Sequence, residues 1–181
     1  MTPRRWDLLL DHCYDFALRV LPTNIYHEHK SQDRTRDMIA FGKMGEFLIA
    51  FSLDERGTCC EPDVQVYPGH KKSYDPDLVF KGKGVHCKTT TLKSAQRWGE
   101  SWCFNKNDPI VSSPDESLVA LCTLDMDKKV CQLYGPYPTK QIIPLLVEPT
   151  AKNQKKKIKV LTKQRLSDTT FDTTYLFHGD V

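Results

Sequence analysis

The feature that most constrains the fold is a pair of extended segments joined by a tight turn. Residues 77–80 read Asp-Leu-Val-Phe, and residues 85–91 read Val-His-Cys-Lys-Thr-Thr-Thr. Between them lies Lys-Gly-Lys-Gly. Glycine adopts the left-handed backbone conformations that short hairpin turns require, so this pattern predicts a β-hairpin with its turn at Gly82 or Gly84.

The hairpin carries residues suited to chemistry on a phosphodiester. Asp77 directly follows Pro76 on the first segment, and Lys88 lies two residues after His86 on the second. Alternate residues of a strand share a face, so His86 and Lys88 are expected on one face and the Cys87 side chain on the other, in the core. A carboxylate can bind a divalent ion, and a lysine can stabilise charge or hold the attacking water. The main-chain carbonyl of Cys87 is a further candidate ligand.

Two helices are predicted before the hairpin. Residues 4–20 place apolar side chains on one face at helical spacing, and residues 36–56 form the longest such segment. Glu46 interrupts the apolar run of the second helix directly after Gly45. A glutamate on a helix is ordinarily solvated, and the alternative is that Glu46 supplies a second carboxylate to a metal site.

After the hairpin, the sequence predicts more strands and short helices. Residues 118–124 are a nearly continuous apolar run, which is typical of a strand buried on both faces. Residues 129–134 alternate as its partner, and Gly135-Pro136 is expected to end that strand. The other predicted elements are strands at 63–67, 102–104, 158–161 and 175–177, the last two completing the sheet, and short helices at 93–99 and 139–147.

Composition favours a single soluble domain spanning residues 1–181. The chain is 39% hydrophobic and 27% charged, and no apolar run approaches the ~20 residues of a membrane helix. The N-terminus lacks the apolar core of a signal peptide. The seven cysteines are odd in number and contain no Cys-x-x-Cys, which argues against a zinc knuckle and fits a reducing compartment. A cytoplasmic protein without a membrane partner is therefore expected.

Together these motifs resemble the PD-(D/E)XK nuclease superfamily. Pro76-Asp77, a spacer and His86-x-Lys88 match its motif, and Gly42-Lys-Met-Gly-Glu46 is similar to the helix that precedes it in some members. The order of helix, hairpin, Trp-rich segment and buried strand also agrees, over residues 39–147. The pattern is most similar to that of small phage-type nucleases, including resolvase-like and freestanding homing endonucleases.

The resemblance implies an α/β fold with a restriction-endonuclease-like core, a mixed β-sheet flanked by helices. The catalytic core would span about residues 36–147, followed by a basic segment at 150–165 and a C-terminal tail. The implied activity is metal-dependent DNA endonuclease, with Mg²⁺ or Mn²⁺ as cofactor and duplex or branched DNA as substrate. Cutting both strands favours a homodimer, and a phage-encoded enzyme would act in the host cell cytoplasm.

The resemblance also assigns roles to residues. Glu46, Asp77 and His86 would hold the metal, and Lys88 would help to activate water and stabilise charge. His86 departs from the family, which has Asp or Glu there. Imidazole favours Mn²⁺ or softer metals over Mg²⁺. His86 is therefore a metal ligand, a general base, or a sign of lost activity, the last leaving a catalytically inactive nucleic-acid-binding protein. Asp75 is the runner-up to Asp77 as a metal ligand.

DNA contact is predicted from basic and polar residues around the hairpin and near the C-terminus. The net charge of +3 permits a polyanionic partner without demanding one. Trp98 and Trp102 are candidates for stacking on bases or for burial in the core. The predicted DNA-binding residues are Lys71, Lys72, Lys93, Gln96, Arg97, Asn105, Lys106, Lys155, Lys156 and Lys157.

Overall fold

The computed structural model describes residues 2–21, 31–66, 75–112, 114–149, 158–167 and the backbone of 174–177. Predicted DNA contacts at Lys71, Lys72 and Lys155–Lys157 lie outside these ranges. The helices are α1 (Pro3–Val20), α2 (Gln32–Asp54), α3 (Leu92–Trp98), α4 (Pro109–Ser112), α5 (Thr139–Ile142) and α6 (Lys163–Ser167), with a 3₁₀ turn at Ile143–Leu145. The strands are β1 (Leu78–Phe80), β2 (Lys83–Thr91), β3 (Ser101–Asn105), β4 (Leu118–Asp125), β5 (Val130–Pro138), β6 (Ile158–Thr162) and β7 (Thr174–Phe177).

The two long helices begin at side-chain caps. The Thr2 hydroxyl accepts a hydrogen bond from the Arg5 N–H, and the Ser31 hydroxyl accepts one from the Arg34 N–H. Each cap satisfies an N–H that the first helical turn leaves unpaired, so α2 starts before the predicted residue 36. α2 packs on one face of the main sheet, and α1 packs against α2 in the same apolar cluster. In the described part of the chain, no helix combines the length and apolar character needed to cross a membrane.

The main sheet is mixed, as predicted, and has five strands in the order β1-β2-β4-β5-β7. Strands β2 and β4 are parallel, and the other neighbours are antiparallel. The predicted hairpin forms between β1 and β2, with its turn at Lys81 and Gly82, whose φ angles are 49° and 77°. The prediction of a doubly buried strand at residues 118–124 is confirmed, because β4 lies in the middle of the sheet with apolar layers on both faces.

A second, two-stranded sheet covers the other face of the main sheet. It pairs β3 with β6 in antiparallel register, from Ser101 opposite Thr162 to Asn105 opposite Ile158. Its buried Trp102 and Phe104 pack with Leu121 of β4 in one apolar cluster. The prediction that residues 158–161 complete the main sheet is therefore wrong for β6, whereas β7 does join that sheet beside β5.

Two further predictions are wrong for local reasons. Residues 63–66 are not a strand, because the Asp63 carboxylate accepts the N–H of Gln65 at 2.8 Å and turns the chain. The other predicted residue of that strand, Tyr67, lies outside the described ranges. Gly135-Pro136 does not end β5, which continues to Pro138 through an irregular register opposite Val119 and Leu121. The extra residue on β5 is accommodated as a bulge.

Candidate active site

Asp77 lies where β1 separates from β2. The last paired residues are Leu78 and Val85. Two residues farther along β2, the Cys87 N–H donates instead to Oδ2 of Asp77, at 2.7 Å. The N–H and C=O of one strand residue point toward the same neighbour, so the Cys87 carbonyl opens on the side of the Asp77 carboxylate. Two of the predicted ligand groups are thus adjacent at one point on the sheet.

A close approach of helix and strand places Glu46 beside this point. A Cβ atom on Gly45 would lie 2.0 Å from Oγ1 of Thr89, so only glycine lets α2 cross β2 at this distance. The next residue, Glu46, has a side chain that is only 16% exposed. Of the two interpretations of Glu46, the solvated helix face is therefore wrong. The Glu46 carboxylate instead interacts electrostatically with the Asp77 carboxylate and with the Lys88 ammonium.

The surroundings of Glu46 favour its neutral form. Burial raises its pKa from 4.5 to about 7, and the like charge of Asp77 adds to this effect. Lys43 and Lys88 act in the opposite direction. The Lys43 Nζ lies 2.5 Å from Oε2 of Glu46 and also donates to the main-chain oxygen of Asp63, at 2.7 Å. Lys43 was missed in the sequence, although its position one helical turn before Glu46 is the spacing of an ion pair.

His86 and Lys88 lie on the face of β2 opposite α2. Their partners on β4, Val119 and Leu121, belong to the cluster under the second sheet, whereas Cys87 packs against α2, as predicted. The His86 side chain is buried, and burial followed by the charge of Lys88 lowers its pKa. It is consequently neutral at pH 7 and retains a nitrogen lone pair.

Lys88 connects the two faces electrostatically. Its Nζ lies 5.7 Å from the ring centroid of Phe104 on β3. It lowers the pKa of both Glu46 and His86, so its ammonium interacts with groups on both faces of β2. Asp77, which is half-buried and directly precedes β1, likewise interacts with both. The four predicted catalytic residues therefore form one electrostatically connected group around the start of β1.

The donor set fits a divalent ion held by few protein ligands. In the described ranges, no three His, Cys, Asp or Glu side chains are grouped so that they could hold a metal ion, and this includes the predicted set of Glu46, Asp77 and His86. Mg²⁺ is commonly bound through one or two carboxylates, with water and substrate phosphate completing its coordination. Glu46, Asp77 and the Cys87 carbonyl are such a set, and the raised pKa of Glu46 marks a point where added positive charge would be stabilising. Asp75, the runner-up, is exposed and lies before β1.

Some of the predicted DNA-binding residues are exposed, and others form hydrogen bonds within the protein. Lys93, Gln96 and Arg97 are exposed on α3, which follows β2 directly. Asn105 accepts the N–H of Asn107 in a turn. The Lys106 Nζ lies 2.9 Å from both carboxylate oxygens of Glu148, so it is already paired within the protein.

The two candidate stacking tryptophans have opposite environments. Trp102 is fully buried and donates its indole N–H to the main-chain oxygen of Cys122 at 3.0 Å, so it belongs to the core. Trp98 is 66% exposed. Only Trp98 is thus free to meet a base.

Comparison with known proteins identifies no relative. No protein-family model, no curated protein and no solved structure matches the chain. The geometry around Asp77 and the motif that it carries are therefore the basis for a functional proposal.

Proposed function

We propose that the protein is a metal-dependent DNA endonuclease that hydrolyses phosphodiester bonds at the start of β1, beside Asp77. The observation that supports it most is the Asp77 carboxylate, hydrogen-bonded to the Cys87 N–H at 2.7 Å where the strands part. Glu46 and Lys88 interact electrostatically at the same place. Two carboxylates beside a lysine are suited to a divalent ion and to the charge of a phosphate in reaction.

Each residue has a role that follows from its contacts. The bound ion, Mg²⁺ or Mn²⁺, would supply Lewis acidity and lower the pKa of a water molecule. The Cys87 N–H orients Asp77 Oδ2, and the Lys43 ammonium favours the ionised, ligating form of Glu46. The Lys88 ammonium stabilises negative charge on the phosphate. Neutral His86 serves as a ligand through its lone pair or as the base that accepts a proton from water.

The substrate surface would include α3. Its exposed Lys93 and Arg97 can contact phosphates, which contribute affinity without reading sequence. An enzyme that cuts both strands needs two sites, and a homodimer is part of the proposal. Leu8 and Leu18 of α1 are 61% and 54% exposed, but the exposed Asp11 and Asp15 lie between them on the same face of the helix, so α1 offers no continuous apolar surface for that pairing.

The second candidate function is nucleic-acid binding without catalysis. It is favoured by the absence of a three-side-chain metal group among the described residues and by the occupation of Glu46 by Lys43. In that case the ion pair would replace the metal, and the exposed cations of α3 would still attract a polyanion. The two functions differ in whether any phosphodiester is cut.

Cleavage assays separate them. Duplex, branched and single-stranded DNA are incubated with the protein and Mg²⁺ or Mn²⁺, with a chelator as the blank. We expect cleavage that Lys88→Ala lowers by at least about 100-fold, because it removes a charge directed at the reacting phosphate. Lys128→Ala, an exposed lysine in the β4–β5 turn, is the matched control and should cut normally.

Two results would contradict the proposal. Binding without cleavage of any substrate in either metal would support the non-catalytic function. Undiminished cutting by a folded Lys88→Ala variant would mean that the active site lies elsewhere.

A further inference from the structure

A cleft of about 420 Å³ opens between the end of α3 and the start of α6. Trp98 forms one wall, and Thr162, Lys163 and Gln164 contribute to the other. Nothing in the proposed chemistry at Asp77 uses these residues. One side of the cleft, Trp98 to Glu100, nevertheless belongs to the segment that follows β2, the strand that carries Lys88.

Trp98 presents an aromatic face at this cleft. It is the last residue of α3 and is 66% exposed, whereas Trp6 and Trp102 are 2% and 0% exposed. The Arg97 guanidinium lies 4.9 Å from the Trp98 ring centroid. A single exposed apolar residue is ordinary on a protein surface. Here the guanidinium lies over one face of a large ring that borders a cleft. The other face is suited to a planar ligand, and the cation favours one that is anionic.

The floor of the cleft is rigidly built. Oε1 of Glu100 accepts hydrogen bonds from the hydroxyls of Thr123, at 2.7 Å, and Tyr134, at 2.9 Å. Its Oε2 lies 2.9 Å from the Lys163 Nζ, and the Lys163 N–H donates to the main-chain oxygen of Glu100. These contacts join Glu100, two residues after α3, to the start of α6 and to β4 and β5, so the floor is positioned before any ligand binds.

The cleft lies on the same face of the main sheet as Lys88. Thr123, which holds Glu100, is paired with Thr90 of β2, and Lys88 is paired with Leu121 two residues before it. Residues two apart on a strand share a face and are about 7 Å apart. A nucleic acid strand whose phosphate meets Lys88 would therefore pass beside the cleft.

We propose that this cleft binds an unpaired nucleobase of the substrate strand, stacked on Trp98, with its phosphate near Arg97. Every nucleobase has an aromatic face, and stacking on tryptophan does not depend on sequence. A base inside a duplex is covered on both faces and cannot enter the cleft. The inference rests on the proposed function and narrows its substrate to DNA with unpaired nucleotides, single-stranded or branched.

Tryptophan fluorescence tests the stacking directly, since Trp6 and Trp102 are buried. The full-length protein, with chelator to prevent cleavage, is titrated with oligothymidylate of about 12 nucleotides. We expect quenching of the emission, and little quenching by a blunt-ended duplex of equal length. Trp98→Phe keeps a stacking ring and should bind nearly normally by fluorescence anisotropy of a labelled strand, but without quenching.

Trp98→Ala should bind the oligonucleotide about 5- to 150-fold more weakly, because one stacked base is lost. Phe51→Ala, which removes a 40% exposed ring from α2, is the control and should leave binding unchanged. Equal binding by Trp98→Ala, or equal quenching by duplex and single strand, would overturn the cleft as a base site.

The cleft and the nuclease proposal fail in different ways. Quenching and Trp98-dependent binding without cleavage in Mg²⁺ or Mn²⁺ would contradict the nuclease and leave the base site standing. If the protein cleaves DNA efficiently and Trp98→Ala alters cleavage of no substrate, the nuclease proposal is supported and the base site is contradicted.

Discussion

Glu46 and Glu100 have side chains that are 16% and 17% exposed, yet their pKa values move in opposite directions. Burial and the charge of Asp77 raise the pKa of Glu46 to about 7. Burial also acts on Glu100, but hydrogen bonds from Lys163, Thr123 and Tyr134 outweigh it and lower its pKa. The exposure of the side chain by itself therefore does not set the charge of either carboxylate.

The difference lies in what surrounds each carboxylate. Glu100 has partners for both oxygens and no acid among the groups that most affect its pKa, so its ionised form stabilises the fold. Glu46 has one lysine partner and faces a second carboxylate. A fold does not need two mutually repelling acids in a shielded place, and such arrangements are concentrated at functional sites. The comparison is the reason why Glu46, and not Glu100, is proposed as a functional residue.

Glu46→Gln should produce the largest effect. Cleavage is expected to fall by more than about 100-fold, because the proposed metal ion would lose one of its ligands. The stability of the folded protein, in contrast, should increase. Since the folded pKa of about 7 lies above the ordinary 4.5, ionisation of Glu46 removes stability as the pH rises from 4.5 to 7.

The glutamine side chain cannot ionise, so the Glu46→Gln variant should unfold at a higher temperature than the wild type at pH 8 in the absence of metal. A gain of about 1 kcal/mol corresponds to about 2–4 °C in a chain of this size. The check is thermal unfolding at pH 5 and pH 8, where the gain should appear at pH 8 only. A loss of stability at pH 8 would make Glu46 a structural residue like Glu100.

Glu100→Gln should be destabilising, by about 1–3 kcal/mol at pH 7, because two buried hydroxyls lose a charged acceptor. The ion pair with Lys163 adds little, since that lysine is 42% exposed and screened by solvent. The folded pKa lies below 4.5, so this stabilisation is fully present above pH 4.5 and is lost as the pH falls through the folded pKa.

Urea unfolding at pH 7 and at low pH measures this effect, and wild type and variant should converge in acid. Glu116→Gln is the matched control, because that glutamate is also paired with a lysine, Lys140, but is 78% exposed. Its unfolding free energy should equal that of the wild type. An equally stable Glu100→Gln variant would remove the distinction between the two glutamates.

His86→Asp should have the smallest effect, a several-fold shift of cleavage from Mn²⁺ toward Mg²⁺. A carboxylate there adds a hard oxygen ligand to the group around Asp77 and makes that group still less like the surroundings of Glu100. The ratio of initial rates in the two metals is the measurement. If the ratio is unchanged while cleavage persists, His86 does not ligate the metal.

Much of the secondary structure followed from local patterns. The turn at Gly82 needs positive φ, and the apolar run of β4 suits a strand with both faces covered, so each depends only on residues adjacent in the sequence. The prediction of a strand at residues 63–66 is wrong for an equally local reason. The Asp63 side chain accepts the Gln65 N–H, which a strand would use for pairing. The alternation that indicated a strand takes no account of that competition.

The sequence by itself determined the hairpin and the order of Glu46, Asp77, His86 and Lys88 along the chain. Only the tertiary structure decided which carboxylate is destabilised, which tryptophan is exposed and which sheet receives β6. Periodicity reports a residue's neighbours in the chain, whereas the pKa of Glu46 depends on a strand more than thirty positions away and on the glycine that lets α2 approach it. Charge and exposure are properties of the packed site, and packing brings together residues that the sequence keeps apart.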